Sequence, residues 1–192
     1  MAERDDAVER LLAPYRGAAG NARYDEYVTE ADHALQCADL AAQSGAPDPL
    51  IVAALFHDVG HLLPGGAAVE TPVSDEGLAL PATDDRHELT GARFLRRHFG
   101  PEVAAPVAIH VEAKRYLVTT DPDYAATLSP SSVHSLSMQG GPLPAECVCS
   151  FEQRPRWEDG VRLRRWDDLA KVPGRRTSTL DDHAERIRRL LR

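Results

Sequence analysis

Apolar residues recur at helical spacing through most of the chain, and alternating runs of apolar and polar residues bounded by turn signals are scarce. This pattern predicts an all-α fold. Thr29 followed by Asp32 has the spacing of a capping box, and it precedes an apolar stripe that ends before Gly45. We therefore expect a helix here, with His33 in its first turn.

A second predicted helix follows directly. Pro47 and Pro49 stand where a helix would begin, and residues 51–56 are apolar nearly all round. Such a helix should be central in the core. It would carry His57 and Asp58 at its C-terminal end.

The remaining chain divides into predicted loops and helices. Residues 60–85 are rich in Gly, Pro, Ser and Asp, which is typical of a long surface loop of the kind that often forms a lid, and residues 128–143 form a hydroxyl-rich segment that we also expect to be a loop. Helices are predicted for residues 86–98 and 101–117, which contribute His87 and His110, and for residues 144–153, 161–171 and 179–191.

Length and composition narrow the class of protein. A chain of 192 residues with 43% apolar and 27% charged residues suits a single domain, residues 1–192, with a core over roughly residues 24–173 and terminal helices as cover. The net charge of -8 argues against a nucleic-acid partner, so an anionic small molecule would need a local basic pocket. A charged N-terminus and the lack of a long apolar run predict a cytoplasmic protein without membrane contact. Three cysteines without paired spacing indicate neither a disulfide framework nor a zinc knuckle.

The adjacent pair His57 and Asp58 is the sharpest chemical signal. Neighbouring residues on a helix point about 100° apart, so both can address metal ions only if the ions lie against that edge of the helix. A two-metal centre with a bridging aspartate suits this geometry. A polar pair at the end of so apolar a stretch is costly unless its members are bonded, which favours a site over the alternative of a satisfied core histidine.

The segment Ala54-Leu-Phe-His57-Asp58-Val-Gly-His61 resembles the signature of the HD superfamily. The resemblance implies that an upstream histidine and a later aspartate complete a metal site. His33 fits the first, and Asp167 fits the second, with Asp168 as the competing choice. In the same way, His87 and His110 are the additional ligands that a second metal requires.

Further motifs narrow the resemblance to one branch of that superfamily. His33-Ala-Leu-Gln36-Cys37, His110 with Lys114, Ser135-Leu-Ser-Met-Gln139 and Arg164-Arg-Trp-Asp167 occur in the order found in the HD-domain mixed-valent diiron oxygenases. Within these, the chain is most similar to the 2-amino-1-hydroxyethylphosphonate dioxygenase group, relatives of myo-inositol oxygenase. The resemblance implies two iron ions as Fe(II)/Fe(III), O2 as co-substrate, and oxidative C–P cleavage that releases phosphate and a carboxylic acid.

The same resemblance implies roles for residues around the metals. The phosphonate-binding positions are His61, Lys114, Ser135, Gln139 and Arg164. Cations and neutral donors around a dianion are chemically reasonable in an acidic protein, although Lys114 or Arg164 alone would more often be a surface charge.

Catalytic roles are implied for His61 and for two residues ahead of His33. Tyr24 would cap the oxygen-binding iron until substrate displaces it, and Glu26 would meet the substrate amine. An aromatic ring or a carboxylate near these positions could equally bind a methylated ammonium group on the substrate.

Two other readings of the chain stay open at this point. An HD phosphohydrolase acting on a nucleotide or phosphate ester would share the fold and the metal ligands. A degenerate HD module that only binds is disfavoured, because competent side chains fill all six ligand positions. Histidine and carboxylate ligands also accept Mn, Co or Ni, and neither the amine substituents nor the oligomeric state can be read from the sequence.

Overall fold

The computed structural model describes residues 2–25, 27–64 and 84–192. Within these ranges the chain forms helices and no strand, which confirms the all-α prediction. The α-helices in chain order are α1 (Ala2–Arg16), α2 (Glu30–Gln43), α3 (Asp48–Phe56), α4 (Val59–Leu62), α5 (His87–Leu95), α6 (Pro101–Thr120), α7 (Pro122–Ala126), α8 (Pro130–Met138), α9 (Val148–Glu152), α10 (Trp157–Leu169) and α11 (Ala184–Leu190).

Helix α3 is the centre of the bundle. Residues 50–56 are all buried, as their continuous apolar character predicted. The helix packs against α2 on one side and against α6 and α10 on others, and α5 packs against α6. Helices α2, α3, α5, α6 and α10 thus surround the polar residues that follow α3 in the chain.

The start of α2 follows from its own sequence. Thr29 accepts a hydrogen bond from the Asp32 backbone N–H at 3.1 Å, and the Asp32 carboxylate accepts one from the Thr29 N–H at 3.4 Å. These bonds satisfy orphan N–H groups of the first turn, which is the expected capping box. The cap fixes where α2 begins and therefore sets His33 on its buried face.

Two predicted loops need correction. Residues 60–62, placed in a loop from the sequence, belong to the short helix α4, and residues 65–83 of that loop lie outside the described residues. Residues 128–143, also expected to be a loop, contain helix α8. Ser129 caps α8 by accepting from the Ser132 N–H, Pro130 occupies its first turn, and buried Leu136 anchors it.

Other boundaries shift by a few residues. Helix α10 begins four residues before its predicted start, and α6 runs three residues further. Short 3₁₀ turns replace the first residues of two predicted helices, at Ala145–Cys147 and Asp181–His183. None of the helices in the part of the chain described here is long and apolar enough to cross a membrane.

Candidate metal centre

The chain breaks its helical path between α3 and α4, at the two residues with the strongest chemical signal. His57 keeps helical angles, whereas Asp58 turns to φ -101° and ψ 12°. Both side chains are buried. The two adjacent side chains face the same cluster, with His57 Nε2 3.1 Å from Asp58 Oδ2.

Four imidazoles converge in two pairs around the Asp58 carboxylate. The Nε2 atoms of His33 and His57 lie 3.2 Å apart, and those of His87 and His110 also lie 3.2 Å apart. Donors about 2.1 Å from one ion and at right angles to each other would lie about 3 Å apart. Each pair therefore has the spacing of two ligands on a common ion, and His33, His57, Asp58 and Asp58, His87, His110 form two groups able to hold a metal ion.

Asp58 faces both groups, with a different oxygen toward each. Its Oδ2 lies 3.1 Å from His57 Nε2, and its Oδ1 lies 3.2 Å from His87 Nε2 and 3.4 Å from His110 Nε2. Oδ1 is buried and has no hydrogen-bond partner among the described residues. A carboxylate in this position can bridge two ions, as the sequence argument anticipated for Asp58.

The other edge of each imidazole shows that the donor set fits metal ions. The Nδ1 atoms of His33, His57 and His110 lie 2.8–2.9 Å from the backbone carbonyls of Ala170, Ala54 and Val107. A carbonyl only accepts, so each Nδ1 carries a proton and Nε2 is the nitrogen left for a cation, either a proton or a metal ion. Two lone pairs facing each other at 3.2 Å repel unless a cation lies between them. The cluster is therefore built for cations.

Asp167 lies beside the first group. Its Oδ1 lies 3.4 Å from His33 Nε2, and the Tyr24 hydroxyl donates to the same oxygen at 3.3 Å. The Tyr24 ring stacks on the His33 ring at 3.7 Å. Both Tyr24 and Asp167 thus lie at the first group, while Glu26 lies outside the described residues.

Electrostatics keep both aspartates of the cluster ionised. Burial alone would raise the pKa of Asp58, but His57, His110 and His87 hold that pKa well below its usual range. Burial likewise opposes ionisation of Asp167, and Arg164 and His33 hold its pKa well below the usual range. Two carboxylates are thus available as anionic ligands at neutral pH.

Three of the predicted phosphonate-binding residues, Lys114, Ser135 and Gln139, lie on α6 and at α8. Lys114 follows His110 by one turn of α6, and its buried Nζ donates to Ser135 Oγ at 2.9 Å. It makes no ion pair with any described residue. Burial, followed by the nearby Arg164, lowers the pKa of Lys114 to about 7. Gln139 ends α8 one turn after Ser135, and its Oε1 is buried without a partner among the described residues.

Arg164 is committed to carboxylates. It pairs with Asp167 at 2.7 Å and donates through Nε to Asp168 at 2.9 Å and to the Tyr124 hydroxyl at 3.1 Å. Both aspartates therefore contact the guanidinium group, and Asp167 also lies 3.4 Å from His33 Nε2. Of the two aspartates that the sequence left as competing ligands, Asp167 lies within 4 Å of His33 and His57.

His61 lies beside the second group and is 34% exposed at its side chain. Its ring stacks on that of His87 at 3.9 Å, and Asp85 lies between the two Nδ1 atoms, at 2.8 Å from His61 and 3.0 Å from His87. Sequence reasoning missed Asp85, because it read residues 60–85 as surface loop. It also gave no role to Tyr124 and did not foresee that Asp168 would pair with Arg164.

A helix bundle around a His/Asp cluster of this kind is the architecture of an HD domain, and the HD domain family matches residues 31–142. The chain belongs to this family. It is 42% identical over 164 residues to the hydroxymethylphosphonate dioxygenase of Gimesia maris, a match that covers 85% of this chain and 78% of that relative. It is also 38% identical over 168 residues to the glycine-betaine-forming [1-hydroxy-2-(trimethylamino)ethyl]phosphonate dioxygenase of Leisingera caerulea, covering 86% of this chain and 81% of the relative.

The resemblance noted in the sequence is thereby confirmed. The relatives extend over most of the chain, so they include the helices that carry both halves of the cluster. Both are named dioxygenases, and both names contain a phosphonate with a hydroxyl group. The His/Asp groups and these names together indicate use of metal.

Proposed function

We propose that this protein is an Fe(II)/Fe(III)-dependent dioxygenase that cleaves the C–P bond of a 1-hydroxyphosphonate with O2 and releases phosphate and a carboxylic acid. One observation carries the proposal: Asp58 faces two imidazole pairs, and the buried Lys114, one turn after His110, makes no ion pair with any described residue. The names of the two relatives supply the substrate class.

The donor set suits non-haem iron, since imidazole and carboxylate ligands are those that such sites use. His33, His57, Asp58 and Asp167 would hold the first ion, and Asp58, His87 and His110 the second. Only three described side chains reach the second position, which leaves room there for substrate, whereas dioxygen would bind at the first position once Tyr24 is displaced. When bound, the irons would supply the one-electron chemistry that dioxygen needs to attack a C–H bond.

Lys114 and Ser135 are placed to bind the phosphonate group. Because the Lys114 ammonium is buried and its hydrogen-bond partner among the described residues is a neutral hydroxyl, it gains strongly from an incoming anion. Gln139 would add an amide to the same face of α8. Arg164 would balance the charge of Asp167 and contribute to the anion chiefly through its field, since its donors already serve two carboxylates.

Three further residues would act on the reacting part of the substrate. His61, which stacks on His87, would contact the phosphonate and hold or move a proton. Tyr24, with its hydroxyl at Asp167, would occupy the first position until substrate arrives. Glu26 would meet an amine on the substrate.

The chemistry balances without another reactant. Hydroxymethylphosphonate and one O2 contain the atoms of formate, phosphate and a proton. The carbon is oxidised, dioxygen is reduced, and the C–P bond is replaced by a P–O bond. No external reductant is consumed in the net reaction.

The proposal is tested by measuring oxygen uptake and phosphate release together. The protein is loaded with iron without oxygen and is then given hydroxymethylphosphonate, 2-amino-1-hydroxyethylphosphonate or its trimethylated analogue. We expect one phosphate per O2 with at least one of these compounds, and the rates rank the substituents. Phosphate release from a simple phosphate ester, with no oxygen consumed, would instead identify a phosphohydrolase.

A further inference from the structure

Asp85 is shared by two histidines that have different tasks in the site. Its Oδ2 lies 2.8 Å from His61 Nδ1, and its Oδ1 lies 3.0 Å from His87 Nδ1. The backbone N–H of His87 also donates to Oδ1 at 3.2 Å. One carboxylate thus accepts from both rings and from the start of α5.

The local chain holds Asp85 in this position. The backbone N–H of Arg86 donates to the neighbouring Asp84 carboxylate at 3.1 Å, and Arg86 adopts a left-handed conformation with φ 51°. Non-glycine residues pay a cost for this conformation, so the turn is maintained by its surroundings. The turn delivers Asp85 to the edge of the stacked His61 and His87 rings.

An ionised carboxylate can only accept hydrogen bonds. Asp85 therefore requires a proton on Nδ1 of each imidazole when both rings are neutral, and it leaves both Nε2 lone pairs free. For His87, the free Nε2 is the atom that faces Asp58 and His110. For His61, whose side chain is partly exposed, the free Nε2 is available to a ligand in the site.

We propose that Asp85 is a positioning residue that sets the tautomer and orientation of His61 and His87 together, and so ties the substrate-facing histidine to the second metal position. The His61 half of this proposal rests on the proposed function. The His87 half needs only the metal centre. Because both rings bond to the same carboxylate, a turn of either ring would break its hydrogen bond to Asp85, which also holds the other ring.

The isosteric variant Asp85→Asn gives a sharp test, because an amide offers one acceptor and one donor in place of two acceptors. When Zn(II), a diamagnetic probe, binds His87 Nε2, the His87 Nδ1–H must donate its hydrogen bond to the amide oxygen of the variant side chain. The amide N–H₂ then faces His61 Nδ1, which must become an acceptor. We expect His61 to carry its proton on Nδ1 in the native protein and on Nε2 in the variant.

Nitrogen-15 NMR of the Zn(II)-loaded protein at mildly alkaline pH distinguishes these tautomers, and the exposed neighbour Asp84→Asn is the matched control that should keep the native pattern. Competition with a chelator should also show metal affinity at the second position falling by about 10- to 100-fold in Asp85→Asn, with the first position unchanged. Asp85→Glu should restore part of the affinity.

The inference is overturned if Asp85→Asn keeps both the His61 tautomer and the native metal affinity. It is also overturned if the native protein binds three Zn(II) per chain and the variant binds two, because His61, Asp85 and His87 would then be ligands of an ion of their own. Both measurements are made without phosphonate. Failure to cleave a phosphonate would therefore refute the proposed function and leave the His87 result standing.

Discussion

Asp58 differs from the other residues of the cluster because its two oxygens face different imidazole pairs. Oδ2 lies near His57, whereas Oδ1 lies near His87 and His110. Each histidine, by contrast, contributes a single Nε2 atom to one of the two groups. The loss of one side chain should therefore affect one metal position or both, depending on which side chain is lost.

Metal analysis of two variants tests this distinction. We expect His87→Ala to retain about one tightly bound ion per chain and Asp58→Asn to retain less than one. The Asn variant loses the negative charge that both positions share, and a lost ligand or its orienting partner typically costs about 10- to 100-fold in affinity. Equal metal content in His87→Ala and the native protein would refute the two-metal arrangement.

The buried Lys114 ammonium should strengthen phosphonate binding, whereas its burial lowers the stability of the folded chain. Burial lowers its pKa to about 7 from the model-peptide value of 10.5, so the folded protein holds fewer protons than the unfolded chain between these two pH values. Stability from this group therefore rises as pH increases through that window, and it is lowest below pH 7, where the charge is buried.

Lys114→Met should make the metal-free protein more stable at neutral pH, by on the order of 1 kcal/mol, because an apolar side chain replaces a desolvated charge. Denaturant titration should show this advantage shrinking as pH increases. The same variant should bind phosphonate about 10- to 100-fold more weakly, which is the value of a charge-assisted hydrogen bond. A variant that is destabilised at every pH and retains the native KM would contradict this account.

From the sequence, the histidines of the cluster could be predicted more fully than the carbonyl groups to which they donate hydrogen bonds. His57 and His110 donate to carbonyls three positions back in their own helices, which helical register makes accessible from sequence. His33 donates to Ala170, which is 137 positions away. That contact depends on how α2 meets the end of α10, and no local pattern reports it.

At the scale of elements, the second half of the cluster depends on how closely α4 approaches the start of α5. A Cβ built on Gly60 would lie 2.1 Å from the backbone oxygen of His87. Only glycine permits this approach, which also brings His61 onto the His87 ring. The glycine is therefore a structural requirement of the site.

Gly60→Ala should push α5 away from α4, destabilise the fold by about 1 to 3 kcal/mol, and weaken the second metal position more than the first. Thermal unfolding and metal titration measure the two effects. Gly17→Ala is the control, because a Cβ there meets only ordinary contacts at 3.6 Å or more. If Gly60→Ala binds two ions as tightly as the native chain, the close approach is not what positions His87.

Helix α8 shows where pattern reading fails at this scale. Its serines and the glycines after it favoured a loop, yet Ser129 and Pro130 are a helix start, and the helix carries Ser135 to Lys114. Ser and Pro are poor helix formers inside a helix and good ones at its beginning. The composition of the whole segment does not show that Ser129 and Pro130 stand at the start of a helix.

For the whole molecule, the cluster joins five helices through residues far apart in the sequence. Four Nε2 atoms and two ionised carboxylates converge in the interior, where unpaired polar groups are costly. The order of motifs predicted that these histidines and aspartates would meet, and their side chains lie together among the described residues. The sequence could not supply the distances, or the pairing of Arg164 with Asp168.

Metal removal should therefore lower the stability of the entire bundle. An ion present at 100 times its dissociation constant contributes about 2.7 kcal/mol per site if it does not bind the unfolded chain. We expect chelation to lower the melting temperature and iron or manganese to restore it. The Asp58→Asn variant should respond weakly, and a native protein that is indifferent to chelation would contradict the buried metal centre.

The most direct measurement is the anomalous scattering of a crystal of the iron-loaded protein. The account predicts two peaks, each about 2 Å from its donors, with one near the Nε2 atoms of His33 and His57 and the other near those of His87 and His110, and with Asp58 bound to both. A single peak, or two peaks that Asp58 does not bridge, would contradict it.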